Sequence, residues 1–325
     1  PTATPTPVPP MPKFMPPTAT PVPPTLTLIP PTPKPIILGA VGWAVGVLIV
    51  YYPYQYQGAE ANSFVNDPDF FLWSLVISLE VGIFLMAMPG LASYVCSLKA
   101  HRSPHRWWIL TNLVVLIALF LVPVVIGQVL IEGLSDWPLE NLFWKVQGIV
   151  LLAGFTALAG FLVILLVQVA SQEISVISNS MQDVLDDFAQ RKAYLDRSLF
   201  AIGAIIGVGI LATGILRDLS LEHIDAVTTE NYPKSFVVAY GAYFSIMLAL
   251  VFVPAQAALT NRGRRILTAW AHLGSIDEPE WETALSKRRT LEQTLHLSGN
   301  PLERFQVGIS LMAPILGAAV SYVAS

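Results

Sequence analysis

Residues 70–96 read FFLWSLVISLEVGIFLMAMPGLASYVC. As an α-helix this stretch is about 40 Å long, more than the roughly 30 Å hydrocarbon core of a bilayer. Asp67-Pro68-Asp69 precedes it, with Asp67 placed to cap the helix and Pro68 at its first position. Pro89-Gly90 predicts a kink or break toward the far end. Glu80 lies about ten residues in, roughly 15 Å deep and near the midplane. It is the one acidic residue set deep inside an apolar run of this chain. A charged carboxylate there is costly and must find a donor, a cavity water or a proton.

Six further apolar runs surround this one, giving spans at about 36–52, 70–96, 107–131, 142–169, 199–216, 236–259 and 305–323. Composition agrees with lipid as the solvent. Hydrophobic residues make up 54% and charged residues 12%, about half the charged share of a soluble domain. The expected fold class is therefore all-α: a polytopic integral membrane bundle of about seven helices, residues 36–325, preceded by a disordered tail. Gly42 and Gly46 in the first span form a GxxxG, and Gly203 and Gly207 repeat that spacing in the fifth. Small residues so placed let helix backbones approach closely in lipid. Tyr51, Tyr52, Tyr54 and Tyr56 cluster where a membrane–water interface would fall.

Residues 1–35 contain fifteen prolines interleaved with Thr, Ala and Val. Each Pro fixes φ and removes a donor, so polyproline II is the default, a semi-rigid tether reaching up to roughly 100 Å. The segment has no basic start followed by an apolar run and is not a signal peptide. The chain begins at Pro1 rather than Met, and a domain upstream of the tether is expected.

Lys and Arg alternate between loops. Basic residues gather at 97–106, 170–198 and 260–304, while 53–69, 132–145 and 217–235 are mainly acidic. The positive-inside rule puts the basic loops in the cytoplasm of a multi-pass cell-membrane protein. With seven spans the tail is cytoplasmic and the C-terminus outside. Two cytoplasmic helical pieces are expected. Residues 171–197 carry Ile174, Ile177, Met181, Leu185 and Phe188 at helical spacing, and Ser180-x-x-Asp183 resembles a capping box. Residues 260–304 carry a helix-start signal at Asp277-Glu278-Pro279-Glu280 and an apolar face of Trp281, Leu285, Leu291 and Leu295. Arg262, Arg264, Arg265, Lys287, Arg288 and Arg289 are candidates to contact anionic lipid.

The chemistry is sparse. The net charge of −4 and the lack of a large basic patch exclude nucleic acid as a partner. One cysteine, Cys96, leaves no disulfide framework and no Cys-based zinc site. His101 and His105 are four apart, but Pro104 interrupts them; His223, His272 and His296 stand alone in sequence. No metal site and no cofactor is expected, and no paired catalytic residues are found. The expected partners are the lipid bilayer and a domain upstream on the same polypeptide, with homo-oligomers allowed. The reading favoured is a membrane module that anchors, or couples signals for, that upstream domain. The alternative is ion- or proton-coupled transport through Glu80, which would meet Gln128, Gln147, Gln168, Thr213, Tyr240, Tyr243 or Ser245. An intramembrane enzyme is the least supported.

Overall fold

A computed structural model describes residues 33–52, 63–99, 107, 110–119, 140–172, 180–224, 227–230, 232–270, 281–295, 297 and 316. Residues 1–32 of the Pro/Thr-rich tail, most of the third span, nearly all of the seventh and the His101–His105 pair lie outside them, whereas residues 33–35, expected in the disordered tail, open α1. Among the described residues every regular element is a helix. In chain order these are α1 (Pro33–Val50), α2 (Ser63–Asn66), α3 (Pro68–Lys99), α4 (Leu110–Leu119), α5 (Glu140–Gln172), α6 (Met181–His223), α7 (Lys234–Trp270) and α8 (Trp281–Thr294).

Four of them, α3, α5, α6 and α7, are long and apolar enough to cross a membrane; α1 and α4 are shorter apolar helices. These four pack against one another around one hydrophobic core, with α1 laid along α3. α6 runs opposite to α3, α5 and α7, whose ends all meet its first half. The start of α3 meets the end of α6 through Asp67 and His223, and the end of α3 meets the first half of α6 through Tyr94 and Arg197. The bundle thus has an acidic end, with Asp67, Asp69, Asp218 and Glu222, and a basic end, with Arg191, Arg197, Arg262, Arg264 and Arg265. A second apolar cluster, built on Phe64, Phe70, Trp73 and Leu219, closes the acidic end.

The outer surface is apolar. Ile246, Leu250 and Val253 run down one side of α7 at helical spacing and are more than half exposed, as are Leu151 and Phe155 on α5. On α1 Ile36, Ile37, Val41 and Leu48 also face outward. Water would penalise such a surface, whereas hydrocarbon matches it.

Two helices differ from the expected segmentation. The amphipathic piece 171–197 and the span 199–216 are not separate: from Met181 on they form one helix, α6, of 43 residues and roughly 65 Å. No residue between Arg197 and Leu199 breaks the ladder, so the change from polar to apolar occurs along a continuous rod. Ser180 is its N-cap, accepting from the Asp183 N–H at 3.2 Å. α7 likewise runs past residue 259 to Trp270, carrying Arg262, Arg264 and Arg265 on a helix rather than a loop. Pro89 does not end α3, which continues through Pro89 and Gly90 to Lys99. At the basic end Val184 and Phe188 of α6, Leu259, Ile266 and Leu267 of α7, and Leu291 and Leu295 form a core continuous with that of the bundle. The apolar face of α8 turns onto protein there, not onto headgroups.

Gly42 and Gly46 lie against the α3 backbone. A Cβ at Gly42 would stand 2.9 Å from the Val81 carbonyl, and one at Gly46 would stand 2.9 Å from Ser78 Cβ. Gly82 answers from α3, where a Cβ would lie 2.8 Å from the Gly39 carbonyl. The Trp43 indole N–H donates to the Leu75 carbonyl at 3.0 Å across the same contact. Gly46→Leu is expected to lower stability in detergent by about 2 kcal/mol, because backbone on both sides leaves no room to adjust. Gly148→Leu is the control: nothing lies within 4 Å of a Cβ there, and its melting temperature should not fall.

Candidate functional site

Glu80 stands on the fourth turn of α3, and the helix period turns it inward. It is 3% exposed. Its Oε1 sits over α6 at Gly209, where a Cβ would come within 2.9 Å of it. Its Oε2 has no hydrogen-bond partner among the described residues. The carboxyl group is therefore buried between α3 and α6. Two of the expected polar partners donate elsewhere. Thr213 donates to the Gly209 carbonyl at 2.8 Å, and the Tyr243 hydroxyl to the Leu119 carbonyl at 2.6 Å. Ser245 Oγ is buried with no partner among the described residues. Gln128 lies outside the described residues.

The basic end holds an ionic cluster. Asp187 of α6 accepts from Arg191 Nε through Oδ1 at 2.9 Å and from Arg262 Nη2 through Oδ2 at 2.8 Å. Arg262 Nη1 also donates to the Ala170 carbonyl at 3.2 Å, in the last turn of α5. Both guanidinium groups are buried, whereas Asp187 is about a third exposed. Arg262 is thereby removed from the expected lipid-contacting set: it points into the bundle. Arg264 and Arg265 are exposed and line a shallow groove with Asn261, Thr268 and Ala269. Lys287 and Arg289 are exposed on α8, and Arg288 is half-buried. Beside the cluster, Tyr94 of α3 stacks on Tyr194 of α6 at 4.0 Å between centroids, and its hydroxyl accepts from Arg197 at 2.7 Å.

The acidic end holds a second polar cluster. Asp67 caps α3, its Oδ1 accepting from the Asp69 N–H at 2.7 Å. Its Oδ2 faces His223 Nε2 at 2.8 Å. The His223 bond is the largest influence on Asp67 and holds its carboxyl below the usual carboxylate range. Arg217, expected in a loop, belongs to α6 and is buried. It pairs with Asp218 at 2.5 Å and donates from Nε to the Tyr232 carbonyl at 2.7 Å, tying α6 to the chain that leads into α7.

Of the glycines expected to pack helices, Gly42 and Gly46 meet α3, while Gly203 is buried and Gly207 half-buried on α6. On the α5–α6 face a close approach falls at Gly160, where a Cβ would lie 2.6 Å from Ile202 Cγ1. Sequence reasoning missed Gly160 and Gly82 because neither belongs to a spaced glycine pair that the sequence singles out. It also missed the Asp67–His223 pair, whose members are 156 residues apart. Comparison with protein-family profiles, curated proteins and solved structures finds no match. Four helices of spanning length with apolar outer faces define the class: a helical membrane protein.

Proposed function

We propose that this chain is a membrane module that couples its two ends through α6. The observation that carries the reading is the unbroken helix from Met181 to His223. It is gripped at the basic end by Asp187, Arg191 and Arg262, and at the acidic end by the pairing of His223 with Asp67. These grips are separated by about 55 Å of helix. A rod fixed at both ends and polar beyond its apolar middle transmits a shift rather than absorbing it. α1, which follows the Pro/Thr-rich segment, lies on α3 through Gly39, Gly42 and Gly46. A displacement applied through that segment thus reaches the helix that faces α6. The basic loops are assigned to the cytoplasm on their charge.

The test is hydrogen exchange on the whole chain in detergent or nanodiscs. Asp187→Asn is expected to speed exchange at the basic end and also at residues 219–224, which it does not touch. Faster exchange confined to residues 181–197 would sink the coupling reading.

A second reading has its own observation: the enclosed Glu80 carboxyl, whose Oε2 has no hydrogen bond among the described residues. Intramembrane acids that face a bundle interior mark ion or proton pathways by default. On this reading Glu80 binds a proton or cation during passage. Proteoliposomes carrying Glu80→Gln should then lose pH-gradient-driven flux that the unsubstituted chain supports; equal flux in both removes it.

A further inference from the structure

The acidic end brings together three side chains that the proposed coupling does not use for chemistry. A carboxylate oxygen of Asp67, a ring nitrogen of His223 and a carboxylate oxygen of Glu222 lie within 4.8 Å of one another. We propose that Asp67, Glu222 and His223 form a binding site for a divalent transition-metal ion of the Zn2+ type. The site stands whether or not α6 transmits movement.

The geometry is close to what such an ion requires. Zn–N and Zn–O bonds of about 2.1 Å in a tetrahedral site set neighbouring ligand atoms about 3.4 Å apart. Asp67 Oδ2 and His223 Nε2 are 2.8 Å apart, bridged by a proton. Replacing that proton by an ion needs them to separate by about 0.6 Å. Both are held by the fold. Asp67 is oriented by the Asp69 N–H on its other oxygen, and His223 sits edge-on to Phe64 at 6.0 Å between centroids. Each side chain is only about one-seventh exposed. Glu222 is exposed, so it can swing in as the third ligand and leave the fourth position to water. Two preset ligands and one mobile ligand at the surface provide an access route.

The donor set fixes the class of ion. One imidazole nitrogen with two carboxylates suits zinc and its transition-metal neighbours, whereas Ca2+ and Mg2+ take oxygen alone. Two carboxylates and a neutral imidazole also balance a dication.

The test uses the full chain in detergent, with chelator removed, titrated with Zn2+ by calorimetry and thermal unfolding. Zn2+ should raise the melting temperature, and millimolar Ca2+ should leave it unchanged. Glu222→Gln changes an exposed residue and leaves the fold intact; it should weaken Zn2+ binding at least tenfold. His223→Gln should abolish the Zn2+-dependent shift. His101→Gln with His105→Gln should leave binding unaltered. The proposal is overturned if Zn2+ does not bind. It is equally overturned if Glu222→Gln binds as tightly as the unsubstituted chain, or if binding is lost only in the His101/His105 variant.

Discussion

Asp187→Asn is expected to cost about 3 kcal/mol of stability, the low end of the range for breaking a buried ion pair. Its carboxylate is bonded to two buried guanidinium groups, Arg191 and Arg262. Arg191 Nη1 is already buried with no partner among the described residues. Removing the charge of Asp187 takes from both cations the counter-charge that offsets their desolvation. The low end of the range applies because Asp187 is about a third exposed and water can take up part of the loss. The damage is not local to α6. Arg262 also reaches the Ala170 carbonyl, so the cluster clamps α5, α6 and α7 at one level. Replacing all three charged residues together, by Asp187→Leu, Arg191→Met and Arg262→Met, should cost far less, since an apolar trio needs no counter-charge. Equilibrium unfolding in mixed detergent micelles reads both variants. Stability of Asp187→Asn within about 0.5 kcal/mol of the unsubstituted chain, the scatter of an ordinary surface change, would show that the cluster contributes nothing.

The opposite sign is expected at Glu80. Glu80→Met keeps the length of the side chain and removes a carboxyl whose Oε2 has no hydrogen bond among the described residues. Relief of an unsatisfied buried polar group is worth about 1–3 kcal/mol, so this variant should unfold later than the unsubstituted chain. A stabilising substitution at a buried acid is the signature of a residue kept for something other than stability. Gly209→Ala supplies the complementary probe. Its methyl would press on Oε1 at 2.9 Å, so it should destabilise the chain carrying Glu80. Combined with Glu80→Met it should do less harm, because the flexible thioether gives way. If Glu80→Met lowered stability instead, the carboxyl would be a structural tie between helices and the proton-pathway reading would lose its support.

Much of the bundle was legible because lipid imposes a simple rule. Backbone groups must be satisfied within the helix, so spans appear as long apolar runs. The runs at 70–96, 142–169, 199–216 and 236–259 each fall within a long helix. The Asp67 and Ser180 caps were legible for the same kind of reason, since a cap acts on neighbours two or three residues away. Helix ends were less legible. Arg262 looked like a headgroup contact because charge normally marks the edge of a span. It is buried because Asp187, 75 residues earlier, meets it there.

The sequence by itself determined that this chain is helical and apolar, where several of its helices begin, and that Glu80 is anomalous. Those properties depend on hydrogen bonds and periodicities within a few residues. Tertiary structure alone decided that Glu80 faces Gly209, that Asp187 holds two arginines, and that Asp67 meets His223 beside Glu222. Each of these depends on the rotation and register of one helix against another. Interdigitated side chains set that register, and no local pattern encodes it.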